Sequence, residues 1–181
     1  MNAARIRAIA IVGVLAIAAG VLTFVAVSDD KQAHKSFATT CPAGTVAVVT
    51  DPLPNYDEIN LKIYNGTKVP DLAANLAAEF SHRGFKVSKT VSDKPTTNHV
   101  ADLYYGPKTL GAAWVVRAEF LMSDPTQNQS SMHFSLKDKS NVVEVVIGTQ
   151  FKQLGAKTEV NQAIAALRTP TAPPGTCVNN P

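Results

Sequence analysis

Residues 61–91 read LKIYNGTKVPDLAANLAAEFSHRGFKVSKTV and carry the clearest fold signal in the chain. Apolar and polar residues alternate over 59–64 and apolar residues recur over 85–91, which predicts two strands. Between them Pro70 suits the first turn of a helix, and Gly84 suits its left-handed C-terminal cap. The segment therefore predicts a βαβ unit with parallel strands and a right-handed crossover. One face of the helix is apolar: Val69, Leu72, Ala73, Leu76, Ala77 and Phe80.

The same periodicities continue on both sides of this unit. The order β-β-α-β-β-α-β-β-α has the centre β-α-β-β-α-β, which is the split βαβ arrangement. We therefore expect an α/β (α+β) sandwich over residues 45–168, with helices packed on one face of a mixed sheet. The proline-rich tail, 169–181, is expected to be irregular. The further predicted strands are 45–49, 99–105, 131–136 and 142–147, and the further predicted helices are 108–122 and 158–168.

Residues 8–27, AIAIVGVLAIAAGVLTFVAV, contain no charged side chain. A helix of that length spans about 30 Å, the thickness of the hydrocarbon core of a bilayer. Arginines precede the run and aspartates follow it, so the positive-inside rule places residues 1–7 in the cytoplasm and exports the rest. The sequence predicts a single-pass membrane protein in which residues 28–44 form a polar tether.

A cleaved signal peptide is the alternative interpretation of the N-terminus. Ala26, Val27 and Ser28 provide small residues near a cleavage position. The apolar run is longer than the roughly 7–15 residues of a signal-peptide core, which favours the uncleaved anchor.

Cys41 and Cys177 are the two cysteines of the chain, and they bracket the predicted exported domain. Outside the cytoplasm thiols tend to oxidise, so a Cys41–Cys177 disulfide is expected, with two free thiols as the alternative. A structural metal site needs further ligands at short spacing, which these cysteines lack. The formal charge of +3 and the charged fraction of 17% are too small for the basic stripe of a nucleic-acid-binding protein.

Motifs of known enzyme classes are missing from the sequence. It contains no GxSxG, HExxH, CxxC, P-loop or GxGxxG pattern. The four histidines are dispersed, and we expect them to be surface or strand residues and not metal ligands. No catalytic residue, metal or cofactor is assigned. Two carboxylates that are distant in sequence could still meet in the fold.

Asn65, Gly66 and Thr67 form the most specific local signal, directly before the first predicted helix. The favoured interpretation is structural, because Asn and Gly fit a sharp strand-to-helix turn and Thr can bond backbone groups near the helix start. The functional interpretation is that free N–H groups at this helix N-terminus hold an anionic or carbonyl-bearing ligand.

Tyr104, Tyr105 and Gly106 follow a predicted strand and are the second candidate ligand-binding group. The two tyrosines could line a groove for a sugar or an acyl chain, with Trp114 beside them. The alternative is that one tyrosine and Trp114 belong to the core while the other tyrosine lies on the surface, and for Trp114 we favour this alternative.

The stretch 61–91 resembles the C-terminal domain of LytR-CpsA-Psr proteins. In that family a strand ends in Asn-Gly-Thr, a helix carries Leu-Ala and a later Leu, and Gly-Phe-x-Val follows. Residues 101–116, ADLYYGPKTLGAAWVV, are similar to the second half of the same domain. The matching residues of the first half are Asn65, Gly66, Thr67, Leu72, Ala73, Leu76, Gly84, Phe85 and Val87.

The resemblance is to the stand-alone, membrane-anchored form of this domain, as in actinobacterial and specifically mycobacterial cell envelope integrity proteins. The catalytic domain that transfers glycopolymers to peptidoglycan in the wider family is not expected, because the predicted anchor and Ile59 leave no room for it. The resemblance implies a non-enzymatic role in envelope integrity through binding of peptidoglycan, a glycopolymer or a lipid.

The sequence is compatible with two further functions. The domain could be a scaffold that recruits other envelope proteins, and the small residues Gly13, Ala16 and Gly20 could allow close packing of the membrane helix. A hydrolase or transferase would require a site assembled from distant residues, marked by clustered carboxylates with shifted pKa values.

Overall fold

The structure is a computed structural model, and it describes residues 41–91, 96–120, 130–167 and 169–180. The predicted cytoplasmic segment, the predicted membrane helix and most of the predicted tether lie outside the described residues. Among the helices that are described, none is both long and apolar enough to cross a membrane.

Seven strands, three α-helices and two short 3-10 turns follow one another in the described part of the chain. The strands are β1 (Val46–Val48), β2 (Asn60–Asn65), β3 (Lys86–Val91), β4 (Ala101–Tyr105), β5 (Ser130–Phe134), β6 (Val142–Ile147) and β7 (Thr176–Val178). The helices are α1 (Leu72–Arg83), α2 (Leu110–Ala118) and α3 (Lys157–Ala166). The predicted order is confirmed as far as α3.

A five-stranded sheet with the order β3-β2-β6-β4-β5 forms the centre of the fold. β2 is parallel to β3 and β6, while β4 is parallel to β5 and antiparallel to β6. The prediction of a mixed sheet is therefore confirmed.

The predicted split pairing is wrong. The two strands of each βαβ unit lie side by side, and β6 lies between the units. The element order does not reveal this pairing. The almost continuous apolar run of β6, VVEVVI, is the local sign of a strand buried at the centre of a sheet.

Alternate side chains of the central strands point into one core. Leu61, Ile63, Leu103 and Val145 are completely buried in it, together with side chains from the helices. The Phe80 ring of α1 lies 6.0 Å from the ring of Phe120, which follows α2. This contact places both helices on the same face of the sheet, as predicted. The intervening strand residues point to the opposite face, here called the outer face.

The predicted disulfide between Cys41 and Cys177 is present and joins residues 136 positions apart. The tail was predicted to be irregular, and that prediction is wrong for 176–178, because β7 pairs in parallel with β1. Turn-forming residues on both sides of this three-residue strand conceal it in the sequence. Next to it, the Asn180 side-chain carbonyl accepts hydrogen bonds from the Thr50 amide (2.9 Å) and hydroxyl (3.2 Å).

The described core and the disulfide both lie within one compact unit of the chain, Ala38–Pro181. A unit with its own hydrophobic core and its own crosslink meets the usual criterion for a domain that folds independently. Residues 38–181 are therefore a suitable fragment for experiments in solution.

Helix boundaries depart slightly from the predicted ones. α1 begins at Leu72, two residues after Pro70, because Asp71 takes a left-handed conformation with φ of 56°. Gly84 ends this helix with φ of 105°, as predicted. α2 is shorter than predicted, because a 3-10 turn precedes it and the chain leaves the helix at Glu119.

Candidate functional site

Asn65, Gly66 and Thr67 form the tight connection between β2 and α1. The Asn65 side-chain oxygen accepts hydrogen bonds from the Thr67 amide (2.9 Å) and hydroxyl (2.8 Å). The Asn65 side-chain amide donates to the Val69 carbonyl (2.7 Å), and the Gly66 amide donates to the Ile147 carbonyl (2.9 Å). These bonds support the structural interpretation of the motif, and its ligand-binding role stays a prediction.

Tyr104 and Tyr105 point to opposite faces of the sheet. Tyr104 is 40% exposed on the outer face, whereas Tyr105 is buried with its ring 5.6 Å from Phe134. Gly106 lies so close to the Asp138 backbone that a Cβ atom would collide with it. Trp114 packs partly buried against the core. Of this predicted group only Tyr104 is available to a ligand on the outer face.

The two predicted groups do not meet. In the strand register Asn65 lies next to Ile147, and Ile147 lies next to Ala101, at one end of the sheet. Tyr104 pairs with Glu144, three residues further along, which corresponds to about 10 Å.

Tyr104 belongs to a row of four side chains that crosses the outer face, one from each of β2, β6, β4 and β5. Strand register makes them successive neighbours, and all four are between about one third and two fifths exposed. The Tyr104 and His133 rings stack with centroids 4.5 Å apart and planes at 14°. We call these residues the outer-face row: Lys62, Glu144, Tyr104 and His133.

Glu144 is held in place within the outer-face row by two neighbours from β2. The Lys62 ammonium lies 3.2 Å from its carboxylate, and the Tyr64 hydroxyl donates to the same oxygen at 2.9 Å. The Lys62 ammonium also lies 4.9 Å from the centre of the Tyr64 ring. Burial raises the pKa of Tyr64, and the Glu144 charge acts in the same direction. The hydroxyl therefore stays a hydrogen-bond donor at neutral pH.

Asp102 lies next to Tyr104 and His133 on the same face and is almost fully buried. One carboxylate oxygen accepts a hydrogen bond from His99 Nδ1 (2.7 Å) and lies 3.4 Å from His133 Nε2. Burial alone would raise the pKa of Asp102, but hydrogen bonds from Thr97, His99 and His133 outweigh it and hold the pKa below its usual value.

The histidine–aspartate contacts were not predicted, because His99 and His133 are 34 positions apart. The His-x-x-Asp spacing and the alternation of β5 are the local signals that could have indicated them. In the described part of the chain, no group of three or more potential ligands is arranged to hold a metal ion.

Glu119 lies on the helix side of the sheet and is completely buried. Its Oε2 forms an ion pair with the Arg83 guanidinium at 2.6 Å. The Tyr56 hydroxyl also hydrogen-bonds the carboxylate, while Oε1 has no well-formed hydrogen bond among the described residues. Arg83 also contacts Glu79 at 3.0 Å and donates to the Gly155 carbonyl at 2.9 Å. Burial raises the pKa of Glu119, although the Arg83 hydrogen bond and charge oppose it. Burial, the neighbouring Glu119 charge and the hydrogen bond to Glu119 raise the pKa of Tyr56 to about 12.

Two cavities meet at Arg83. A pocket of about 100 Å³ contains Glu119 in its wall, and a larger groove of about 400 Å³ runs along α1. The pocket is lined by Tyr56, Arg83, Glu119, Lys157, Val160 and Asn161. The groove is lined by Leu72, Asn75, Leu76, Glu79, Arg83, Phe151, Gln153, Leu154, Gly155 and Ala156.

A family model described as LytR cell envelope-related transcriptional attenuator, LytR_C, matches residues 58–151 of the chain. This range contains β2 to β6 and therefore both the outer-face row and the Arg83–Glu119 pair. Among curated proteins no sequence matches the chain.

A solved structure shares the fold. It is the soluble domain of a conserved hypothetical secreted protein, the Rv2700 ortholog, from Mycobacterium marinum. The TM-score is 0.51 at 16% sequence identity, and the alignment covers 75% of this chain and 82% of the other. At this identity the similarity concerns the fold alone.

Proposed function

Because the chain belongs to the LytR_C family, we propose that its domain acts outside the cytoplasm in the cell envelope, where it binds a polysaccharide of the cell wall. The family description and the Cys41–Cys177 disulfide support this location, since disulfides persist in oxidising compartments. The predicted membrane helix at 8–27 would hold the domain near its polymer.

The observation that carries the proposal is the stacked Tyr104–His133 pair within the outer-face row. A sugar ring has C–H faces that pack against aromatic rings and hydroxyl groups that donate to carboxylates. The row provides the aromatic surface, the Glu144 acceptor and the Lys62 donor on one exposed face. Since it crosses four strands, about 14 Å, successive units of an extended chain could contact it together.

We propose that the domain acts by binding and not by catalysis. The buried acidic side chains in the described part of the chain are Asp102 and Glu119, and they lie on opposite faces of the sheet. A pair of carboxylates flanking one bond, as glycoside hydrolysis normally uses, is therefore not formed by these two residues. The scaffold hypothesis stays untested, because the small residues on which it depends lie outside the described residues.

The proposal can be tested by co-sedimentation of residues 38–181 with insoluble, protein-free cell-wall polysaccharide. The fragment is expected to sediment with the polymer, and Tyr104→Ala is expected to weaken binding about tenfold, which corresponds to about 1.4 kcal/mol. Val69→Ala is the matched control, because Val69 is 54% exposed and lies outside the outer-face row. Circular dichroism should show that both variants are folded.

Two results would contradict the proposal. One is a folded fragment that does not sediment with the wall fraction. The other is equal binding by Tyr104→Ala and the Val69→Ala control, which would place any polymer contact away from the outer face.

A further inference from the structure

We propose that the groove and pocket on the helix side bind an uncharged amphiphile with a hydrocarbon chain and a hydroxyl-bearing head group, the chemistry of a glycolipid. The chain would lie along α1, and the head group would lie at Arg83 and reach the buried Glu119 carboxylate. This site is additional to the proposed polymer surface, because it lies on the opposite face of the sheet and uses none of the outer-face row.

The shape and lining of the groove fit a hydrocarbon chain. Its apolar walls come from Leu72 and Leu76 on one side and from Phe151 and Leu154 on the other. Along α1 it extends from Leu72 to Arg83, which corresponds to about 16 Å at the helical rise. The volume of about 400 Å³ lies within the range of about 300–1,000 Å³ that is typical of small-molecule sites.

The charged groups at the polar end favour a head group without net charge. Arg83 and Lys157 line the two cavities together with Glu79 and Glu119, so the formal charges cancel. The Arg83 guanidinium is already engaged by both carboxylates and by the Gly155 carbonyl. An anionic head group would have to displace one of these partners.

The Oε1 atom of Glu119, which lacks a well-formed hydrogen bond, is a second, independent observation that indicates a hydrogen-bond donor in the ligand. Glu119 is completely buried and lines the pocket of about 100 Å³ next to Arg83. The Tyr56 hydroxyl, in the same pocket, hydrogen-bonds the carboxylate, but Oε1 itself has no well-formed hydrogen bond in the described part of the chain. A buried acceptor oxygen without a well-formed hydrogen bond is unfavourable, and a hydroxyl group that enters the pocket would complete it. A choline head group has no such donor.

Calorimetric titration of residues 38–181 with dodecyl maltoside, below its critical micelle concentration, tests the proposal directly. We expect saturable binding of one molecule. Maltose, which lacks the chain, is expected to bind at least 100-fold more weakly. Laurate is anionic and dodecylphosphocholine lacks hydroxyl donors, so both are expected to bind at least fivefold more weakly than the maltoside.

Two tryptophan variants of α1 locate the site. Asn75→Trp places a large side chain in the groove from an exposed position and is expected to weaken maltoside binding at least tenfold. Ala78→Trp is the matched control, since Ala78 is exposed on the same helix but does not line the groove. The affinity of the Ala78→Trp variant for the maltoside should stay within twofold of that of the unmodified domain.

Glu119→Gln tests the head group, because it removes the carboxylate charge and puts a donor where the proposal requires an acceptor. Maltoside binding is expected to fall at least fivefold, with less than a twofold change for dodecylphosphocholine. Absence of maltoside binding, equal affinity for laurate, or equal binding by the Asn75→Trp and Ala78→Trp variants would each overturn the proposal. None of these outcomes bears on polymer binding by the outer face.

Discussion

Asp102 and Glu119 are buried carboxylates on opposite faces of the same sheet, and their surroundings differ. Asp102 receives hydrogen bonds from neighbouring side chains, which keep its pKa below the usual value in spite of burial. Glu119 is paired with Arg83 through one oxygen only, and burial raises its pKa. On the outer face Asp102 is thus satisfied by neighbouring side chains, while on the helix side the Glu119 oxygen Oε1 lacks a well-formed hydrogen bond that a ligand could provide.

The two faces also differ in how water reaches their charged groups. Lys62 and Glu144 on the outer face are each 31% exposed, whereas the Arg83 and Glu119 side chains are 9% and 0% exposed. Removal of one partner on the outer face leaves a charge that water can solvate. Removal of one partner on the helix side leaves a charge in the core, so we expect the larger losses of stability there.

Arg83→Met is the strongest test of this comparison. It leaves Glu119 buried without a counter-charge, and we expect the free energy of unfolding at pH 7 to fall by about 3–5 kcal/mol. Urea denaturation of residues 38–181, followed by circular dichroism, measures the change. The double variant Arg83→Met/Glu119→Leu should recover most of the loss, because an apolar pair replaces the ion pair.

Glu79→Ala serves as the control for the Arg83 variant. Glu79 is half exposed and pairs with Arg83 across one helical turn, so its loss should cost about 0.3–0.5 kcal/mol. A loss below 1 kcal/mol for Arg83→Met would show that water reaches Glu119. The two faces would then not differ in how much stability they lose with one partner of an ion pair.

Asp102→Asn is expected to have the next largest effect, about 1.5–3 kcal/mol at pH 7, because it weakens charge-assisted hydrogen bonds while the size of the side chain is kept. The sign of the pH dependence follows from the lowered pKa of Asp102. Its stabilisation is complete above the unfolded-state pKa of about 3.9 and is lost as the pH falls through the lower pKa of the folded state.

Denaturation of both proteins from pH 7 down to pH 2 checks this prediction. The difference in unfolding free energy between the unmodified domain and Asp102→Asn should shrink as the pH falls below about 4. A difference that keeps growing as the pH falls below about 4 would show that Asp102 is not stabilised in its charged form.

Local periodicity was sufficient to predict six of the seven described strands and the three helices, but not β7 or how the strands pair. The alternation at 59–64 and the apolar helix face before Gly84 each have a physical cause within a few residues. The central position of β6 and the short β7 depend on partners far away in the sequence. Register, which decides which side chains become neighbours across strands, is set by the whole sheet and is not visible in one strand.

The same limit explains why most residues of the candidate sites could not be predicted from the sequence. Tyr104 was predicted as a ligand-binding residue, whereas its neighbours Glu144 and His133 were not, because strand pairing alone brings them together. The Arg83–Glu119 pair joins residues 36 positions apart through the packing of two helices. A charge pattern on one helix gives no sign of that contact.

Tyr64→Phe is expected to have the smallest effect on stability, and it tests the outer face, where water can solvate a group that loses its partner. The variant removes the hydroxyl that donates to Glu144 at 2.9 Å but keeps the buried ring. A neutral hydrogen bond contributes about 0.5–1.5 kcal/mol, and we expect a loss near the lower value, because the partly exposed carboxylate keeps its ion pair with Lys62 and can bind water. Urea denaturation at pH 7 measures it. A loss above about 2 kcal/mol would mean that Glu144 is as poorly solvated as Glu119, and the outer face would then be no more tolerant of a missing partner than the helix side.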